Sequence, residues 1–281
     1  MKLPFKVDLS NKVAVVTGAG GVLCSVFAEA IATCGAKVAL LNRTEEKAVK
    51  VSEKITSQGF IAKAYKCDVL DRKNLEDCLE KVKTDFGDCD ILINGAGGNS
   101  PLAMTTLEYH EPGDIDPAIK SFFDLDIEGV EYVFNLNYLG TLLPIQVFAE
   151  SMIKKENATI INISSMAAFC PLTKIPAYAG AKAAINNLTQ WLAVHFSKTG
   201  IRVNALAPGF FVTNQNRAIL FDANGKPTAR TDKILNATPM GRFGEPEELL
   251  GALLWLLSES SGFVTGIVVP VDGGFSAYSG V

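Results

Sequence analysis

The chain alternates two patterns of apolar positions. Short apolar runs, many of them β-branched, recur at Val13–Thr17, Lys37–Leu41, Ile61–Lys66, Asp90–Ile93, Thr159–Ser164, Arg202–Ala207 and Ile267–Val271. Most are bounded by Gly, Asp, Asn or Pro, which marks short buried strands. Between them, residues 22–34, 44–57, 71–86, 178–197 and 246–258 carry apolar residues at helical spacing. Strands alternating with helices predict an α/β fold, with a parallel sheet covered on both faces. The seven strands span the chain with no linker, repeat or low-complexity tract, so one domain over residues 1–281 is expected.

Two stretches break the rhythm. Residues 98–131 and 208–240 are long, polar and weakly periodic. Long loops in a compact domain are usually functional or disordered. Both follow predicted strands at their C-terminal ends, where open α/β sheets bind ligands, so they are the expected substrate loops.

Composition narrows the classes. The 281 residues are 48% hydrophobic, enough for a sizeable core, and the net charge of −4 comes without a long basic run. Nucleic acid is therefore not an expected partner. Six cysteines, at 24, 34, 67, 78, 89 and 170, form no C-x-x-C pair, and the two histidines are His110 and His195. That pattern predicts reduced, buried thiols and no metal site. The N-terminal "MKLPFKVDLSNK" has no signal-peptide core, and runs such as "GALLWLL" at 251–257 are too short to span a membrane. A cytoplasmic protein without a membrane partner is expected.

The candidate chemistry begins at "VAVVTGAGGVLCSVFAEAIA", Val13 to Ala32. A strand runs into a glycine-rich turn and then a helix. Thr17 and Gly18 close the strand and permit the turn, and Gly20 and Gly21 let backbone approach a pyrophosphate. The helix start, with Val22 and Leu23, offers free N–H groups and a positive dipole end to phosphates. Val22 and Cys24 stand where such loops often carry glycine. The second strand ends in Asn42 and Arg43 rather than a carboxylate. A carboxylate there would hydrogen-bond the ribose hydroxyls of NAD, whereas a neutral Asn beside an Arg suits a 2′-phosphate and favours NADP over NAD.

Further along, "YAGAK" sets Tyr178 and Lys182 one turn apart on a helix face. A nearby ammonium is expected to lower the phenol pKa and make Tyr178 a general acid. Ser165 ends a predicted strand thirteen residues earlier, with a hydroxyl in reach of a carbonyl.

In order and spacing, the motifs "TGAGGVLC", "CDV" at 67–69, "NGAG" at 94–97, "NYLG" at 137–140, "NISS" at 162–165, "YAGAK" at 178–182, "PGFFVT" at 208–213 and "VDGG" at 271–274 resemble those of the short-chain dehydrogenase/reductase family. The resemblance covers essentially the whole chain. It implies a Rossmann-like, doubly wound sheet of seven parallel strands and a nicotinamide-dependent oxidoreductase, in the family habit a homotetramer. It implies a catalytic tetrad: Asn137 holding a relay water, Ser165 polarising the carbonyl, Tyr178 as proton donor and Lys182 tuning Tyr178 and binding the nicotinamide ribose. It also implies that Asp68 and Val69 meet the adenine and that Asn94, Gly95 and Ala96 line the cofactor. Pro208, Gly209 and Thr213 would flank the nicotinamide.

Within that family, "GGNSP" at 97–101, "FFDLD" at 122–126 and "PGFFVTNQNR" at 208–217 are similar to the bacterial D-mannonate oxidoreductase (fructuronate reductase) group. That implies a ketone and a secondary alcohol interconverted on a sugar acid. Asn99, Ser100, Asn214, Gln215 and Asn216 could meet its hydroxyls, and Arg217 or Arg230 its carboxylate. His110 lies in the insertion and could touch substrate, while His195 reads as a helix-surface residue. Phe122, Phe123, Phe210 and Phe211 leave an apolar pocket open, so a 3-oxoacyl thioester or another polyol is an alternative substrate. A non-catalytic dinucleotide-binding regulator is the alternative from another class.

Overall fold

The computed structural model describes residues 7–113, 116, 118–153, 155–213 and 217–280, with the side chains of 218 and 219 left aside. Seven strands form one sheet: β1 (Val13–Thr17), β2 (Lys37–Asn42), β3 (Ala62–Lys66), β4 (Ile91–Asn94), β5 (Thr159–Ile163), β6 (Arg202–Pro208) and β7 (Val268–Val271). All pairings are parallel, in the order β3-β2-β1-β4-β5-β6-β7. The order reverses between β1 and β4, so the sheet is doubly wound with its switch point there. The sequence pattern placed every strand to within a residue at either end, the usual uncertainty of an end that frays.

β1 explains why these runs are continuously apolar. Ala14 and Val16 face a core with Phe27 and Ile31 of α1 (Val22–Thr33) and with Leu253 and Leu256 of α9 (Leu250–Leu257). Val13 and Val15 face the opposite core, with Leu75 of α3 (Arg72–Asp85), Phe148 of α5 (Gly140–Met152) and Leu192 of α6 (Pro176–His195). Alternate residues thus enter opposite layers, and neither face meets water. A fully buried side chain such as Phe27 contributes about 2–3 kcal/mol of transfer free energy.

The predicted helices appear with small shifts. α2 covers Glu45–Ser57, α6 starts at Pro176 rather than 178, and the stretch 246–258 divides into a 3-10 turn, Pro246–Leu249, followed by α9. The two loops contain more structure than their polarity predicts. The first holds 3-10 turns at Pro101–Ala103 and Phe122–Asp124 and the start of α4 (Ile127–Phe134); the second holds α7 (Arg217–Leu220) and α8 (Ala229–Ala237). A π turn at Asn135–Leu139 joins α4 to α5. Among the described residues no helix is long and apolar enough to cross a membrane.

Register levels the strand ends. Thr17 pairs with Leu41 and Asn94, Asn94 with Asn162, and Pro208 with Val271. The loops carrying the candidate residues therefore leave one edge of the sheet at one height.

Candidate active site

The turn after β1 is built from glycines with different duties. Gly18 has φ +65°, and a Cβ there would lie 2.9 Å from the backbone of Ala96. Gly21 is the N-cap of α1 and brings no capping side chain. The N–H groups of the first turn thus face outward from the helix end, the arrangement that receives an anion. Gly20 has a packing duty within the fold as well. A Cβ there would meet Lys47 Cβ at 2.5 Å and the Asn42 side chain at 3.2 Å, so its neighbours in the fold require it to be small. Its N–H donates to Asn42 Oδ1 at 3.2 Å, while Asn42 Nδ2 donates to the Thr44 carbonyl at 2.7 Å. Asn42 therefore ties the phosphate turn to the end of β2, and Arg43 beside it is exposed.

Cys24 answers for its missing glycine. Its Sγ would stand 2.0 Å from a Cβ on Gly95. The thiol of α1 fills the volume that a side chain at 95 would need, so the smallness has moved to the facing strand end. Burial pushes the Cys24 thiol up to about 12, which keeps it neutral. The Thr17 hydroxyl accepts the N–H groups of Gly95 and Ala96 at 3.1 and 3.2 Å and holds that strand end against β1. Asn94 is buried and donates to Asn162 Oδ1 at 2.9 Å; Asn162 in turn donates to Thr189 Oγ1 of α6 at 2.9 Å. Asn94 Oδ1 is buried without a partner. Asp68 accepts the Leu70 N–H at 3.0 Å, and Val69 is buried against Gly140.

Ser165, Tyr178, Lys182 and Asn137 converge beyond β4 and β5. Ser165 follows β5 in extended backbone, and its hydroxyl accepts the Ala167 N–H at 3.2 Å. Pro176 opens α6 at N1, which puts Tyr178 in the first turn and Lys182 one turn on. The Lys182 side chain is buried, lies 5.6 Å from the Tyr178 ring centroid, and donates from Nζ to the Ile163 carbonyl at 2.7 Å. Burial lowers its pKa to about 8. Asn137 donates to the Gly98 and Val133 carbonyls at 2.7 and 2.8 Å and accepts the Gly98 N–H at 3.3 Å. A Cβ on Gly97 would sit 2.8 Å from Asn137 Oδ1 and 3.3 Å from Lys182 Nζ, so that glycine, not singled out in the sequence, lets amide and ammonium share one space.

One electrostatic expectation fails. The phenol of Tyr178 is raised above its ordinary value by burial, and its hydrogen bond with Ser165 opposes the rise. Lys182, desolvated itself, does not bring it down in the protein alone. A raised phenol is a protonated one, which is the form a proton donor needs.

The substrate candidates are less concentrated. Asn99 is exposed and accepts the Ser100 N–H at 2.9 Å, and Ser100 caps the 3-10 turn at 101–103. Arg217 is exposed with its guanidinium 5.7 Å over the Phe221 ring. Asn214, Gln215 and Asn216 lie outside the described residues. Pro208 ends β6, Gly209 packs so closely on Asp272 that a Cβ would lie 2.5 Å from its Cα, and the Thr213 carbonyl accepts the Arg217 N–H. Phe122 and Phe123 are 68% and 80% exposed, and His110 packs edge-on against Phe123. Phe211 is buried over Gly244, and Phe210 packs on Phe275. His195 stacks on exposed Trp191 at the helix surface. Among the described residues no cluster of His, Cys, Asp and Glu is suited to a metal.

A dinucleotide fits this edge: an uncapped helix start, glycine cradles at 18 and 97, and polar strand ends meet at the switch point. The class so defined is an NAD(P)-dependent oxidoreductase. The chain belongs to the short-chain dehydrogenase/reductase family: a family described as enoyl-(acyl carrier protein) reductase matches residues 21–276. An oxidoreductase of Haemophilus influenzae, named as uncharacterized, is 62% identical over 98% of this chain and 96% of its own. The uncharacterized oxidoreductase UxuB of Bacillus subtilis is 54% identical over 99% of this chain and 100% of its own. A crystal structure from Haemophilus influenzae, provisionally named a D-mannonate oxidoreductase and solved with bound NAD, is 62% identical; it superposes with a TM-score of 0.94 over 98% of each chain.

Two predictions follow from this geometry. Gly95→Ala should cost about 2 kcal/mol or more through overpacking against the Cys24 thiol, and a Cys24→Gly background should recover much of that cost. Urea unfolding of the four proteins measures the coupling, and strictly additive losses would remove the volume exchange. The second concerns Lys182, whose folded pKa of about 8 lies below its ordinary 10.5. The buried ammonium opposes folding below pH 8, by up to about 3 kcal/mol, and the penalty is relieved as pH rises from 8 to 10.5. Lys182→Met should therefore raise the Tm of the cofactor-free protein at pH 7, with the gain fading toward pH 10. A gain that does not change with pH would contradict it.

Proposed function

We propose that this enzyme interconverts a ketone and a secondary alcohol on a sugar acid, with D-fructuronate reduced to D-mannonate as the reaction. The observation that carries the chemistry is the convergence of a protonated Tyr178, its Ser165 partner and the buried Lys182 ammonium beyond β5. The name of the Haemophilus relative and the polar character of both long loops support the substrate class. Residues 1–281 act as one domain in this reading, with 98–131 and 208–240 as substrate loops, and the chain works as a homotetramer.

The residues divide the work as follows. The N–H groups at Val22 and Leu23, with the turn Thr17, Gly18, Gly20 and Gly21, hold the pyrophosphate. Asp68 and Val69 meet the adenine, and Asn94, Gly95 and Ala96 line the middle of the cofactor. Pro208, Gly209 and Thr213 flank the nicotinamide. When bound, the nicotinamide supplies the hydride for reduction and takes it in oxidation. Ser165 directs its hydroxyl at the carbonyl oxygen, and Tyr178 gives that oxygen its proton. Lys182 binds the nicotinamide ribose, whose hydroxyls replace lost water around the ammonium. Its charge then supports the tyrosinate left after transfer. Both amide atoms of Asn137 are committed to Gly98 and Val133, and its main-chain carbonyl in the π turn accepts the Thr141 hydroxyl at 2.8 Å, so a relay water held by Asn137 takes the second lone pair of that carbonyl. Asn99, Ser100 and Gln215 meet substrate hydroxyls, with Arg217 at the loop that follows.

NADP(H) is accepted through Arg43, alongside NAD(H). Arg43→Ala should raise the KM for NADPH about ten-fold and leave that for NADH nearly unchanged, since a charge-assisted bond to a 2′-phosphate is lost. Equal effects on both cofactors would place Arg43 outside the site.

The reaction is tested by the fall in nicotinamide absorbance when the purified protein meets D-fructuronate with NADH or NADPH. Wild-type turnover should fall about 10²–10⁴-fold in Tyr178→Phe, with cofactor binding kept. Cofactor binding without turnover of D-fructuronate would sink the substrate, and cofactor binding with turnover of no ketone, in wild type or in Tyr178→Phe, would favour a regulator.

A further inference from the structure

The segment joining Ser165 to Tyr178 carries a lysine in a backbone conformation that lysine disfavours. Lys174 has φ +73°, and the other non-glycine residues at positive φ among the described residues are Asn11 and Asn157. Asparagine tolerates the left-handed region because its short amide bonds locally; a lysine stem brings no such compensation. The Lys174 carbonyl accepts the Thr105 N–H at 3.0 Å, so the insertion helps to hold this conformation. Strain at the edge of a site points to a side chain kept for its own chemistry.

That side chain lines an open cleft of about 410 Å³ with Leu107, Glu108, Tyr109, Glu111 and Lys233. The two long loops meet here, joined by an ion pair of 2.8 Å between Glu108 and Lys233. The Lys233 ammonium is thereby committed; Lys174 forms no ion pair with a described residue, and its charge joins that of Lys233 in lowering the Glu108 carboxyl. The cleft reaches the segment that opens the catalytic helix, since Lys174 precedes Pro176 at the start of α6 by two residues. Of the two cations suggested by sequence, Arg217 lies over the Phe221 ring, and Arg230 contributes to lowering the Glu108 carboxyl.

We propose that Lys174 binds the carboxylate of the substrate, forming an anion subsite outside the tetrad. The proposal rests on the sugar-acid reading above. In D-fructuronate the ketone and the carboxylate are separated by three hydroxyl-bearing carbons. The carboxylate's partner must therefore stand away from Ser165 and Tyr178, and an ammonium on the segment between them, held in no hydrogen-bonded ion pair, meets that need.

The test uses the full chain saturated with NAD and the variants Lys174→Gln, Lys174→Arg and Lys174→Gly. D-mannonate should raise the Tm of wild type and of Lys174→Arg but not of Lys174→Gln, while neutral D-mannitol should not distinguish them. Lys174→Gln should raise the KM for D-fructuronate about ten-fold with kcat nearly kept, and leave any reduction of D-fructose unchanged. Lys174→Gly should raise the Tm of the free protein, by relieving the backbone, and lose the D-mannonate response. An equal D-mannonate response in wild type and Lys174→Gln, or no response in wild type, overturns the subsite. A Lys174-dependent response without turnover of D-fructuronate keeps the subsite and ends the substrate reading. Turnover of D-fructuronate with a KM indifferent to Lys174→Gln does the reverse.

Discussion

Lys182 carries an ammonium into the interior and gives it one protein acceptor, the carbonyl of Ile163 at 2.7 Å. An ion with so few partners is costly to bury, and its depressed pKa records that cost. Much of the surrounding structure is arranged around this charge. β5 must end where its last carbonyl can accept the Nζ proton. Position 97 must be glycine, because the ammonium and the Asn137 amide both occupy the space of a side chain there. The π turn must bring Asn137 to that place while α4 runs on into α5. A ribose hydroxyl pair is the kind of ligand that restores what water would have given, so the same shortage that weakens the fold prepares the site to bind.

A second constraint is volume at the switch point, where β1 and β4 part. The Thr17 hydroxyl draws the backbone of 95 and 96 inward, and the first turn of α1 closes over it. Only one of two facing positions can carry a side chain. In this chain it is Cys24, and Gly95 yields. The departure from the usual glycine loop is thus a transfer of bulk across a helix–strand contact, which close packing allows when total volume is kept. Gly18, by contrast, cannot be exchanged in this way, because both its φ and the Ala96 backbone require glycine.

These two constraints explain what could be read in the sequence. The strands were legible because burial on both faces writes unbroken apolar runs, and Tyr178 and Lys182 because a one-turn spacing survives in any helix. α8, and the start of α4, were hidden in stretches whose polar residues face solvent on both sides of a thin apolar stripe. The burial of Lys182 was illegible, since nothing in "YAGAK" says that the ammonium points inward. From that follows the misjudged phenol, where desolvation outweighs the hydrogen bond with Ser165. The packing duty of Gly20 was illegible too, since its smallness answers to Lys47 and Asn42, which lie more than twenty residues away. The exposed Phe122 and Phe123 show that aromatic residues in an insertion need not join the core.

The site therefore joins parts of unequal stiffness. Ser165, Tyr178, Lys182 and Asn137 are fixed by strand register, helix spacing and buried hydrogen bonds, which is what proton transfer at defined atoms demands. The loops that flank them are joined by the Glu108–Lys233 pair, whose Lys233 side chain is two-thirds exposed. Such a pair contributes about 0–1 kcal/mol, so it does little to fix the two loops against each other. Chemistry is thus held by the core and selection by the surface. A carboxylate recognised at Lys174 would act on the second part alone, so the same tetrad can serve other ketones when the loops are changed and the sheet is left as it stands.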